Sequence, residues 1–153
     1  MTLRKILILV IILITGTQLV FANYGFYRKV ANTCKYYRVN VDEKKMSLTK
    51  NADGSYHFSI EMESLRNNFE MVMLVGFISV GQAMRPQENF AKKKSGYTAI
   101  VPSDTEVTVN IPVSRQNTII TAKANAGHVQ QLTDGKIDTA EFMRLIKDSI
   151  QTI

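Results

Sequence analysis

The strictest alternation of apolar and polar positions lies on either side of Asn51-Ala52-Asp53-Gly54. Before it, Met46 and Leu48 alternate with Ser47 and Thr49. After it, Tyr56, Phe58, Ile60 and Met62 alternate with His57, Ser59, Glu61 and Glu63. A period of two predicts a β-hairpin whose apolar set shares one buried face and whose polar set shares the other. Asp53-Gly54 suits the turn because glycine takes positive φ without a side-chain clash. Thr105–Val113 alternates in the same way, with Val107, Val109, Ile111 and Val113 inward, and Thr118–Lys123 reads as the returning strand. Pro112 has no N–H to donate, so this strand is expected at a sheet edge or finishing there. Tyr36–Val41 and Tyr97–Val101 read as two further short strands. Asn23–Lys35 shows no clear period.

Phe69–Met84 follows a different rule. Phe69, Val72, Met73, Gly76, Val80 and Met84 recur at helical spacing, and Met71, Leu74, Val75 and Ile78 fill much of the remaining circumference. A helix apolar nearly all round is a buried one. Ser64 or Asn67 is the expected cap, and Pro86 is expected to stop the helix soon after Met84. Gln87–Gly96, with Lys92, Lys93 and Lys94 in its middle, reads as an exposed loop. Strands, helix, strands and helix in that order predict an α+β fold. The expected form is an antiparallel sheet of about five to six strands packed on a buried central helix, with a C-terminal helix.

The N-terminus carries an address. Arg4 and Lys5 precede nine consecutive branched apolar residues, Ile6–Ile14, and Val20 and Ala22 are small or compact residues at the positions a signal peptidase reads. The sequence therefore predicts a signal peptide over 1–22, an α+β body over 23–127 and a C-terminal helical segment over 128–153. The protein is expected to be exported, periplasmic or secreted, with no membrane span after cleavage. The leader holds two of the 19 basic residues and none of the 13 acidic ones, so 17 remain against 13, a net charge of +4. That mild excess admits an anionic surface or polymer as partner, with Lys92, Lys93 and Lys94 as its docking residues. No basic stripe is interleaved with aromatics on one strand face, so nucleic acid is not an expected partner. Cys34 is the only cysteine, so the fold must hold by its core and not by an intrachain disulfide.

Near the C-terminus, Thr133–Phe142 has an outward calcium-loop spacing, with Gly135 at the sixth position and Glu141 at the twelfth. Positions one and three would then be Gln130 and Leu132, a neutral amide and a group that cannot ligate, so calcium is not expected. Leu132, Gly135, Ile137, Glu141 and Phe142, with Leu145 and Ile146 continuing the apolar face, make His128–Ile150 resemble the short C-terminal helical hairpin called SHOCT. The chain departs from that pattern in the Ala/Asn/Gly-rich stretch Ala122–Gly127. The resemblance implies self-association, with a homo-oligomer as partner; the stripe Phe142, Leu145, Ile146 and Ile150 would then be the interface, or else it docks onto the sheet of the same chain. In the residues themselves, Gly135 is expected to end one helix in the left-handed conformation. Asp138 is expected to cap the next, with Glu141 reaching back to complete a capping box.

Candidate chemistry is sparse. His57, Glu61 and Glu63 share a strand face, but four residues at about 3.3 Å each put His57 about 13 Å from Glu61. No HExxH, GxSxG, phosphate-loop or CxxCH motif is present. No cofactor and no metal are expected. The sequence points to an exported, non-enzymatic binding or assembly module. The alternative is a small exported hydrolase or ligand carrier using the polar strand face around His57, Glu61 and Glu63.

Overall fold

The structure, a computed structural model, describes residues 23–65, 67–113 and 116–153. The expected signal peptide, 1–22, lies outside the described residues. The fold is α+β. Five strands in the order β1-β2-β3-β4-β5 form one mixed sheet. They are β1 (Met46–Lys50), β2 (Tyr56–Glu63), β3 (Asp104–Val113), β4 (Gln116–Asn125) and β5 (Gln151–Thr152). Helix α1 runs through residues 23–36, α2 through Phe69–Lys93, α3 through Ala126–Thr133 and α4 through Thr139–Ile146.

The hairpin forms as its alternation demands. Met46 faces Ile60 and Leu48 faces Phe58 across β1 and β2, while Gly54 takes a φ of 87° in the turn. Asp53 fixes that turn by accepting from the Ser55 N–H at 2.9 Å. β2 then pairs in parallel with β3, where an antiparallel neighbour was expected; every other pair is antiparallel. The parallel pair follows from the intervening helix, because a strand that returns through a helical crossover re-enters the sheet in its original direction. β3 thereby becomes a central strand. Pro112 is tolerated because pairing with β2 stops at Asn110, so its missing N–H falls on a locally open edge.

α2 is longer than Pro86 led one to expect. It continues to Lys93, so residues 87–93 of the stretch read as a loop are its last two turns. Pro86 is exposed, so the distortion it imposes falls toward solvent rather than into packing. Neither Ser64 nor Asn67 caps the start; the cap position is Asn68, whose side chain makes no capping bond. The Ser64 N–H instead donates to the Asn110 carbonyl at 3.0 Å, tying the end of β2 to β3.

Two predicted strands are absent. Residues 23–36 form a helix because Phe26, Val30 and Cys34, at spacings of four, place one buried column on the sheet. Arg38 then takes a φ of 62°, and the Val39 N–H returns to the Cys34 carbonyl at 2.9 Å, a left-handed helix end that rules out a strand over Tyr36–Val41. Tyr97–Val101 is irregular. Gln87 collects it instead, its side-chain oxygen accepting from the Tyr97 hydroxyl and from the Ile100 N–H.

The C-terminal segment joins the same core as the body. Val129, Leu132, Phe142 and Ile146 are buried, and the Phe142 ring stands edge-on to Phe77 of α2 at 5.1 Å. Gly135 takes a φ of 68°, and Asp138 accepts from the Glu141 N–H at 2.8 Å. The second half of the expected capping box is missing, because the Glu141 carboxylate turns outward to Arg144 at 2.7 and 2.9 Å. Arg85 of α2 holds the turn through the Thr133 carbonyl and the Asp134 carboxylate.

α2 comes closest to the sheet at Gly76, where an added Cβ would sit 2.9 Å from both Met62 Sδ and Val107 Cγ1. Gly76→Ala should therefore cost about 1–3 kcal/mol by overpacking, measured by urea unfolding. Combining it with Val107→Ala should cost less than the two single changes added together, because the second removes the clash of the first. A second outcome concerns acid. The Arg85 guanidinium beside Asp134 holds that carboxyl below the ordinary aspartate range. The unfolded chain takes up the proton first, so this stabilisation is present above about pH 4 and is lost as pH falls through the lowered value. Melting curves of Asp134→Asn should accordingly lose less on acidification than those of the parent.

Candidate functional site

Among the described residues, α1 to α4 lie on one face of the sheet, and the other face carries the polar positions of β2, β3 and β4. That face is organised in rungs. At its lower end, where β2 and β3 begin, the His57 ring nitrogen Nδ1 meets the Asp104 carboxylate. Ser103 donates its hydroxyl to Asp104 at 3.0 Å and lies at the same distance from the Tyr56 carbonyl. One rung up and across, Lys123 pairs with Glu106 at 3.0 Å, and the Thr108 and Thr121 hydroxyls bond each other at 3.1 Å. At the upper end Lys45 lies between Glu61, at 3.1 Å, and Glu63, at 3.5 Å. Hydrogen bonding to Glu61 raises the Lys45 amine above its ordinary value.

The structure thus separates the residues the sequence grouped. Glu61 and Glu63 come together with Lys45 and Asp42 along a shallow groove of about 300 Å³ beside Asn40, Val41 and Met62. His57 belongs to the opposite end, with Asp104. A carboxylate–imidazole pair can orient a general base, but the hydroxyl beside it, Ser103, is turned to Asp104 and to backbone. Among the described residues, no three His, Cys, Asp or Glu side chains gather as a metal site.

The expected interface stripe is also divided. Phe142 and Ile146 are fully used within the chain's own core, since α4 must cover Phe77 and the sheet. Only Leu145 at the rim and half-buried Ile150 keep any outward surface. Lys92 and Lys93 end α2 and Lys94 follows it; all three are exposed, with the Lys94 ammonium 5.5 Å from the centre of the Phe90 ring.

A second groove, of about 310 Å³, was not visible in the sequence. It opens between the last turns of α1 and the middle of α2, lined by Lys29, Asn32, Thr33, Tyr36, Tyr37 and Gln82. Lys29, Asn32, Thr33 and Tyr36 are spaced as one outward helical face, a signal that exists only once residues 23–36 are read as a helix. The Tyr36 and Tyr37 rings stand edge-on at 5.2 Å, and Tyr36 is 82 % exposed. Thr33 is held by donating its hydroxyl to the Lys29 carbonyl at 2.9 Å. Behind this wall the Cys34 thiol donates to the Ser79 hydroxyl at 3.1 Å, closing the α1–α2 seam. Burial pushes the Cys34 thiol above its ordinary value.

No protein-family model matches the chain, and no curated protein and no solved structure was found to resemble it.

Since the thiol is buried and protonated at neutral pH, Cys34 should react with a thiol-specific disulfide reagent at least about 100-fold more slowly in the native protein than in urea. Stopped-flow absorbance measures this directly, and rapid native labelling would show that the α1–α2 seam opens.

Proposed function

We propose that this protein is an exported, non-enzymatic binding module whose ligand docks in the groove between α1 and α2. Export rests on the leader pattern of residues 1–22, with its basic start, apolar run and small residues at Val20 and Ala22. The observation that carries binding is the pair of edge-on tyrosines, Tyr36 and Tyr37, above Lys29, Asn32, Thr33 and Gln82. An aromatic side chain left 82 % exposed gains nothing for the fold, yet it offers a rigid apolar face with a polar tip. The amides of Asn32 and Gln82 add neutral donors and acceptors, and Lys29 adds one positive charge.

This set recognises a ligand with a flat apolar face, a rim of hydroxyl groups and an acidic substituent. A short acidic saccharide is the chemical class that has all three. Among the described residues that line the groove there is no imidazole and no carboxylate to move a proton, and Lys29 is the one ionisable side chain apart from the two phenols. That absence favours binding over hydrolysis at this site. The charged groups of the sheet face, by contrast, largely neutralise one another in pairs.

The chain has no tryptophan, so tyrosine fluorescence is not masked by a brighter emitter, and two of its six tyrosines, Tyr36 and Tyr37, line the groove. Titration with a uronic-acid disaccharide should give a saturable change at lower concentration than a neutral disaccharide does. Tyr36→Ala should weaken the acidic ligand by about three- to tenfold, the range expected for one lost aromatic contact, and leave the melting temperature unchanged. No saturable response to either sugar would reject the reading.

A further inference from the structure

α2 is longer than the sheet it crosses, and the excess lies at one end. Its 25 residues span about 37 Å, against about 26 Å for the eight residues of β2. The last buried residue of the helix is Met84; the nine that follow carry no core contact of that kind. Because β2 and β3 are parallel and α2 connects them, this overhang projects from the end at which both strands begin. The loop after it returns to that end as well, where the Ser103 N–H donates to the Tyr56 carbonyl at 2.8 Å.

Arg85, Gln87 and Glu88 tie its first turn to α3 and to the following loop, and beyond them the tip carries exposed lysines and an aromatic ring. Lys92, Lys93 and Lys94 are exposed, and among the described residues none of the three is in an ion pair. Phe90 is 47 % exposed beside them, backed by the Tyr97 ring at 4.7 Å. The chain enters the domain at this same end. Phe26, near the start of α1, packs on Phe58 near the start of β2, while Cys34 reaches Ser79 and Asn40 borders Glu63 at the far end of β2. Tyr24, exposed in the first turn of α1, therefore lies toward the lysine end, directly after the apolar leader sequence.

We infer that this end of the molecule docks on an anionic lipid surface, with Lys92, Lys93 and Lys94 among the headgroups and Phe90 and Tyr24 at the acyl boundary. Adjacent lysines are attracted by the negative potential of an anionic leaflet, and exposed aromatic rings partition into the interfacial layer. A soluble polyanion would satisfy the lysines but has no use for the aromatic rings. The inference is independent of the α1–α2 groove, which is formed farther along α1.

The test uses the protein as purified from the producing cell, with its native N-terminus, sedimented with vesicles. Vesicles of phosphatidylcholine containing about 30 % phosphatidylglycerol should bind it at least tenfold more tightly than pure phosphatidylcholine, and about 0.5 M salt should remove most of that preference. The triple change Lys92→Gln, Lys93→Gln and Lys94→Gln should lower binding to the anionic vesicles about 100-fold, since each lysine contributes several-fold. Phe90→Ser should lower it severalfold with the salt dependence intact. Circular dichroism should show the same fold in all variants, because the four side chains lie outside the core. Equal binding to neutral and anionic vesicles would overturn the inference, as would a triple variant that binds like the parent. Binding to soluble polyphosphate as tight as to vesicles, insensitive to Phe90→Ser, would replace it with an acidic polymer.

Discussion

The packing of α2 flat across β2 and β3 is the contact on which everything else rests. It is possible only because Gly76 presents no side chain where Met62 and Val107 rise from the sheet. A residue of ordinary size there would lift the helix and open the layer beneath it. With the helix seated, Met73, Phe77, Val80 and Met84 all become fully buried. Each such side chain contributes about 1.5–3 kcal/mol relative to exposure. The helix is apolar nearly all round because the sheet lies under it, α1 flanks it on one side through Cys34 and Ser79, and α4 covers it on the other through Phe142.

That arrangement also decides what is left for function. With every helix on one face, the other face of the sheet must be polar, and its charges sit close enough to pair across strands. Lys45 with Glu61 and Glu63, and Lys123 with Glu106, are exposed pairs of the kind that add little stability but neutralise one another. The features not absorbed in this way are the tyrosine-lined seam between α1 and α2 and the overhanging end of α2. The first lies in the seam between two neighbouring helices, and the second where α2 runs past its last buried residue, Met84.

The two short cappings at the C-terminal hairpin illustrate how local rules are overruled. Asp138 caps α4 as its residue type dictates, because the donor it satisfies lies three residues away. Glu141 obeys the same local logic only until Arg144 offers a charged partner one turn on, which a carboxylate prefers to a backbone N–H. Phe142 and Ile146, four residues apart on α4, and Leu132 of α3 needed a surface to cover. The nearest one was α2 of the same chain.

The sequence by itself determined whatever is fixed by nearest neighbours along the chain. The β1–β2 hairpin with Gly54 at its turn, the inward alternation of β3, the burial of α2 and the left-handed Gly135 all follow from residue period and backbone freedom. Tertiary structure alone decided three things. Residues 23–36 became a helix because the column Phe26, Val30 and Cys34 is buried on the core side, with Phe26 against Phe58 of β2 and Cys34 against Ser79 of α2. β2 met β3 in parallel because α2 had to cross between them, a constraint invisible to the period of either strand. His57 parted from Glu61 and Glu63 because each took a partner on a neighbouring strand or turn, Asp104 in one case and Lys45 in the other. Local periodicity assigns faces, but only the register between strands decides which side chains meet.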